Sequence, residues 1–157
     1  VSKCYRREFV MITFQKGDIF QLEVEAIVNP VNCRGVMGKG LAYQFKKKWP
    51  AYYKDYLRIC SGQLMFGGEI YIYENGTNPK YIISFPTKLD WHNPSRMAYI
   101  TDGLIELKKA IREKEIKSIS IPALGCGCGG LSWFEVRKEI IRILDGVPCD
   151  IRVFQPH

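Results

Sequence analysis

Ala26-Ile27-Val28-Asn29-Pro30-Val31-Asn32-Cys33-Arg34-Gly35-Val36-Met37-Gly38-Lys39-Gly40-Leu41 is the stretch on which the fold turns. Its opening, Ala26–Asn29, is apolar and β-branched and reads as a core strand. Gly35, Gly38 and Gly40 then fall close together, and a helical segment, Gly40–Trp49, runs up to Pro50. The same strand-to-helix alternation continues on both sides. Phe9–Phe14, Ile70–Tyr73, Tyr81–Phe85, Ser118–Pro122 and Asp150–Phe154 read as further strands. Ala51–Cys60 reads as a second helix with Gly62 as its stop. A third helix is expected directly after Asn93-Pro94, with Asn as cap and Pro in the first turn. Met97, Ile100, Leu104, Leu107 and Ile111 step by three and four along it, which makes one buried stripe, with Lys108, Lys109, Arg112 and Lys114 mostly on the solvated side. The last helix opens on the capping-box pattern Ser132-x-x-Glu135, buries Val136, Ile140 and Leu144, and stops before Gly146. This alternation predicts an α/β fold: a mixed, largely parallel sheet covered by helices on both faces. Ligands in such sheets bind outside the carboxyl ends of the strands.

With 157 residues, 46% hydrophobic and 25% charged, the chain has the balance of one globular domain rather than of a disordered segment. No apolar run approaches the roughly 20 residues of a transmembrane helix, and Val1–Val10 has no apolar signal core. The missing initiator Met suggests a trimmed or excised piece of a larger parent. The net charge of +7 favours anionic partners such as phosphate, nucleotides or nucleic acid, although solubility alone explains it as well. Cys4, Cys33, Cys60, Cys126, Cys128 and Cys149 follow no disulfide spacing, which points to a reduced, cytoplasmic protein. No CxxC occurs, and the histidines are His92 and His157, so no metal site is expected.

Three segments carry chemistry. The glycines around Gly35–Gly40 permit backbone N–H groups to approach an anion at a helix start, without the GKS or GKT of an ATPase loop. A second glycine-rich loop, Leu124-Gly125-Cys126-Gly127-Cys128-Gly129-Gly130-Leu131, also runs from a strand into a helix start. Two such loops in one sheet could grip a diphosphate from both sides. Cys126 and Cys128 are better read as small packing side chains than as nucleophiles, because no histidine lies near them in sequence. The third segment, Ser84-Phe85-Pro86-Thr87-Lys88-Leu89-Asp90-Trp91-His92, leaves a strand with Lys88 at its exit. Beside a diphosphate site that amine could neutralise an oxyanion, move a proton or attack an aldehyde carbon; a merely solvated lysine is the plain alternative. His92 reads as a loop or capping side chain.

Together these residues resemble a family. Gly17-Asp18-Ile19, the Asn29-to-Leu41 loop, Phe85-Pro86-Thr87-Lys88 with Trp91 and Pro94-Ser95-Arg96, and Gly125-Cys126-Gly127-Cys128-Gly129-Gly130-Leu131 look like a macrodomain. They resemble the branch that holds the macrodomain of the DarG antitoxin and the terminal ADP-ribose protein glycohydrolases. The resemblance spans Val10 to Gln155 and implies a three-layer α/β/α macrodomain over residues 10–157, with residues 1–9 as an N-terminal extension.

The resemblance implies site roles residue by residue. Asp18 would accept the adenine amino group and the Ile19 amide would meet the ring, with Phe154 flanking it. Asn29 and Asn32 belong to the first loop, and Asn32 would reach the distal ribose. Gly35, Val36, Met37, Gly38, Gly40 and Leu41 on one side, and Leu124, Gly125, Cys126, Gly127, Cys128, Gly129, Gly130 and Leu131 on the other, would hold the diphosphate. Thr87 lies beside Lys88, which matches the branch's catalytic lysine. Two departures stand out. Cys128 replaces the usual Asn of DarG-like loops, and Gly129 stands where protein-directed glycohydrolases have an aspartate paired with the lysine.

The implied activity is hydrolysis of ADP-ribosyl groups from DNA bases, a DarG-like antitoxin activity that reverses a DarT-type toxin, with no cofactor. ADP-ribosylated single-stranded DNA would be the substrate, a DarT-type toxin would be a partner through a domain outside this chain, and no membrane partner is expected. The alternatives are an ADP-ribose or metabolite-binding module without catalysis, removal of ADP-ribose from protein carboxylates, and removal of phosphate from ADP-ribose 1″-phosphate.

Overall fold

The computed structural model describes residues 10–156, so Cys4 and the 1–9 extension lie outside it. Six strands form one sheet: β1 (Val10–Gln15), β2 (Ala26–Asn32), β3 (Tyr71–Glu74), β4 (Tyr81–Lys88), β5 (Ser118–Ile121) and β6 (Cys149–Phe154). Their spatial order is β1-β6-β5-β2-β4-β3; β3 runs antiparallel to β4 and every other pair is parallel. Four helices cover it: α1 (Gly40–Lys48), α2 (Pro50–Ser61), α3 (Met97–Glu113) and α4 (Trp133–Leu144).

The alternation of side chains along each strand divides the core in two. Ala26, Val28, Ile83, Phe85, Ile119, Ile121, Ile151 and Val153 pack with Ile100, Leu104, Leu107 and Ile111 of α3 and Val136, Ile140 and Leu144 of α4. Ile27, Val31, Ile82 and Phe154 pack on the other face with Phe45 of α1 and Tyr52 and Tyr56 of α2. The expected three-layer α/β/α arrangement is the one observed. Gly103 interrupts the α3 pattern because a Cβ there would overlap the Phe85 ring, so the helix gives up some propensity to lie close on β4.

Three local expectations need correction. The helix α3 starts at Met97, with Arg96 as its uncapped N-cap, not at Asn93-Pro94. Ser95 is drawn instead toward Thr87, and its Oγ donates to Thr87 Oγ1 at 3.1 Å. Ser132 does precede α4, but its side chain makes no capping bond. Finally, β2 and β4 extend beyond the apolar runs to Asn32 and Lys88 because they pair with each other to the end. Proline cannot donate to a ladder, yet Pro30 sits in this central strand, where pairing with β5 has already stopped at Ile27.

That early stop shapes the site. From β2 the chain passes through α1 and α2 on one face; from β5 it passes through α4 on the other. Neighbouring parallel strands whose connections diverge in this way leave a crevice at their carboxyl ends.

Candidate functional site

A cleft of about 700 Å³ opens there. Its lining includes Pro30, Val31 and Asn32 from β2, Pro122 and Ala123 after β5, and Thr87 and Lys88 from the end of β4. A register shift between Val31 and Asn32 sets Lys88 opposite Asn32, so the ladder skips Thr87. Bulges of this kind re-aim side chains at strand ends. Lys88 Nζ donates to the Trp91 carbonyl at 3.2 Å.

The first glycine-rich loop delivers Val36, Gly38, Lys39, Gly40, Leu41 and Ala42 to the cleft. The last three are the opening turn of α1, which has no side-chain cap and no acidic residue. Uncapped N–H groups at a helix start, reinforced by the helix dipole, suit an anion. Asn32 braces the loop: its Nδ2 donates to Val36 O at 2.8 Å, and its Oδ1 accepts from Arg34 N at 2.9 Å and from Tyr56 Oη at 3.0 Å. Among the described residues, the other amide proton of Asn32 meets no acceptor and is left for a ligand.

The second loop closes the opposite wall with Gly125, Cys126, Gly127, Cys128 and Gly129. It is folded by Leu131 N donating to Gly125 O (2.9 Å) and Gly130 N donating to Gly127 O (3.2 Å). Among the described residues, the Gly127, Cys128 and Gly129 amides donate to no protein acceptor, which leaves three N–H groups for a ligand. Burial pushes the Cys126 thiol up to about 11, so it stays protonated and fits the packing role expected of it.

Ser95 joins this loop to the lysine strand. It is buried, its N–H donates to Gly129 O at 2.9 Å, and its Oγ reaches Thr87. A Cβ on Gly129 would run into the Ser95 side chain and the Gly125 carbonyl. An aspartate side chain at this position therefore has no room here. Ser95 was not among the sequence candidates, and neither were Lys39 and Trp91, which also line the cleft.

Several predicted residues lie away from the lining. Asn29 is fully buried and faces α2, where its Nδ2 donates to Tyr52 Oη at 3.0 Å, and Tyr52 Oη lies 2.6 Å from Ser84 Oγ. Burial pushes the Tyr52 phenol up to about 12, so this is a neutral brace between α2, β2 and β4. Met37 and Leu124 are core side chains, Leu131 packs against the core, and Gly35 backs onto Leu57 and Cys60 of α2. Gly130 is exposed but outside the lining.

Asp18, Ile19 and Phe154 stand off the lining at the carboxyl ends of β1 and β6, toward which the cleft extends through Pro156. Asp18 Oδ1 accepts from Phe20 N at 2.9 Å and so caps the turn that follows β1. Ile19 and Phe154 are buried in the α1–α2 core.

The family model described as Macro domain matches residues 28–140. The chain belongs to the macrodomain family. Over 149 residues this macrodomain is 42% identical to the DNA ADP-ribosyl glycohydrolase of Mycobacterium tuberculosis, covering 93% of the chain and 42% of that protein. It superposes on the macrodomain of Thermus aquaticus DarG with a TM-score of 0.89 at 42% identity, covering 93% of this chain and 99% of that one. Thermosipho africanus DarTG, solved in complex with ADP-ribose, matches with a TM-score of 0.88 at 30% identity, covering 93% and 42% of the two chains. The macrodomain thus spans about two-fifths of the length of the DNA ADP-ribosyl glycohydrolases it matches. Among its described residues, no helix is long and apolar enough to cross a membrane.

Proposed function

We propose that this macrodomain binds ADP-ribose in the β2/β5 cleft and hydrolyses an ADP-ribosyl bond, with an ADP-ribosylated DNA base as substrate. The observation that carries the reading is the meeting of three features in one cleft: the α1 start, the free amides of the second loop, and Lys88. A diphosphate lies between the two loops, its charge met by N–H groups from both walls. The adenosine end extends past Pro156 toward Asp18, Ile19 and Phe154, and the distal ribose faces Asn32 and Lys88. In chemical terms, the bond between the distal ribose's anomeric carbon and the base breaks, the base leaves with the electron pair, water supplies the new hydroxyl, and the proton that water gives up ends on the departing base.

The fit to DNA rests on similarity to relatives bearing that activity in their names, and on the net charge of +7, which suits a polyanionic substrate. Such a substrate is the product of a DNA-modifying transferase, so a DarT-type toxin is the natural counterpart, and its compartment is the cytoplasm.

Binding is tested separately from catalysis. Free ADP-ribose is expected to bind in calorimetry and to raise the melting temperature, since a ligand at a hundred times its Kd adds about 2.7 kcal/mol to stability. The absence of both heat and a thermal shift at millimolar ADP-ribose would remove the cleft from consideration as its site.

A further inference from the structure

We infer that the Trp91 ring is a stacking platform for the nucleobase that carries the ADP-ribose, and that it selects unstacked, single-stranded DNA. The inference rests on the DNA-directed reading above and adds a residue to it. Among the described residues, Trp91 is the one aromatic side chain that lines the cleft, and it is 54% exposed. One exposed apolar ring is ordinary on a protein surface; its position gives it meaning. The Trp91 carbonyl accepts from Lys88 Nζ, so the residue's backbone is tied next to the amine, at the lysine end of the cleft. A group bound against it is the leaving group of the reaction, not the adenine of ADP-ribose.

The ring is also held. His92 packs edge-on against it with centroids 4.8 Å apart, and His92 Nδ1 lies 2.8 Å from Asp90 Oδ1. Asp90 in turn pairs with Arg34 Nε of the first loop at 3.6 Å, and Cys33 N donates to Leu89 O at 3.0 Å. The Trp91 segment is thereby tied to the loop on the opposite side of the lysine. Arg34, Lys39 and Arg96 are exposed around this end: Lys39 lines the cleft, and Arg96 N donates to Thr87 O at 3.0 Å. An aromatic platform flanked by cations is the arrangement by which proteins hold single strands, the ring taking a base and the cations the neighbouring phosphates. A base must leave the duplex stack to lie on such a ring, which favours single-stranded over paired substrate.

The test uses an oligonucleotide carrying ADP-ribose on one base, with free ADP-ribose titrated in parallel. Trp91→Ala should raise KM for the single-stranded oligonucleotide about ten- to a hundredfold, the loss expected for one base–aromatic stack. Its Kd for free ADP-ribose should stay at the wild-type value, and Trp91→Phe should recover most of the KM. A wild-type KM in Trp91→Ala overturns the platform while leaving the DNA reading in place. An equal loss of free ADP-ribose affinity also overturns it, by assigning the ring to ADP-ribose itself. A wild-type protein that binds ADP-ribose but leaves the oligonucleotide intact overturns both readings together.

Discussion

Lys88→Ala is expected to lose hydrolysis by about 10²–10³-fold, the usual cost of removing one well-placed stabilising group from a reacting centre, while ADP-ribose affinity stays close to wild type. The split follows from where the contacts lie. In the proposed pose, the diphosphate would lie against backbone amides of two loops that do not include Lys88, with the adenosine end further away. Lys88 would meet the ligand where the bond breaks.

Lys88→Arg then separates the roles open to the amine. An arginine keeps the charge but stays protonated, so it can serve an electrostatic role and cannot act as nucleophile or base. Partial activity in Lys88→Arg assigns the role to charge. Its complete loss, together with trapping of a Lys88–ribose imine by borohydride, assigns it to attack on the anomeric carbon, after which water hydrolyses the imine to free ADP-ribose. Full activity in Lys88→Ala would remove the lysine from the mechanism.

The second large effect is expected at Gly129. Its Cβ position is occupied by the Ser95 side chain and the Gly125 carbonyl, and Ser95 is held by bonds to both Gly129 O and Thr87 Oγ1. Gly129→Ala should therefore cost about 1–3 kcal/mol, the range for overpacking a tight site, which in a domain of this size lowers Tm by about 2–4 °C per kcal/mol. Gly129→Asp should cost more, since it adds a carboxylate where space is already filled. It should reduce hydrolysis of ADP-ribosyl-DNA without creating activity on protein carboxylates. Combining Gly129→Ala with Ser95→Gly should recover part of the stability, because the two side chains compete for one volume. A Gly129→Ala protein with wild-type Tm would show that the loop shifts freely and that Gly129 sets nothing.

The alternation of strands and helices was legible because each buried face repeats at its own period: Ile100, Leu104, Leu107 and Ile111 on α3, and the apolar strand runs in the sheet. The two glycine-rich loops that wall the cleft were legible from their glycines. Strand ends were not. Pro30 and Asn32 read as loop residues by type, and pairing with β4 overrides that preference. Taking the Asn29–Leu41 run as a whole also drew Asn29 and Met37 into the site. Strand alternation sends Asn29 to the α2 face with Ile27 and Val31, and Met37 is an apolar anchor for the loop. Ser95 and Trp91 carry the family resemblance as motif residues, but the motif assigns them no role in the site. Ser95 takes its role from a contact across the fold, with Gly129, and Trp91 from the short turn after β4 that brings its carbonyl back to Lys88.

The most direct measurement is release of ADP-ribose from an ADP-ribosylated single-stranded oligonucleotide, run beside an ADP-ribosylated peptide and ADP-ribose 1″-phosphate. The cleft geometry and the absence of room at Gly129 predict rapid release from the oligonucleotide, dependent on Lys88, and little or no turnover of the other two. An intact oligonucleotide with hydrolysis of the peptide or the phosphate would contradict the DNA-directed account, and three intact substrates with tight ADP-ribose binding would make the domain a binding module.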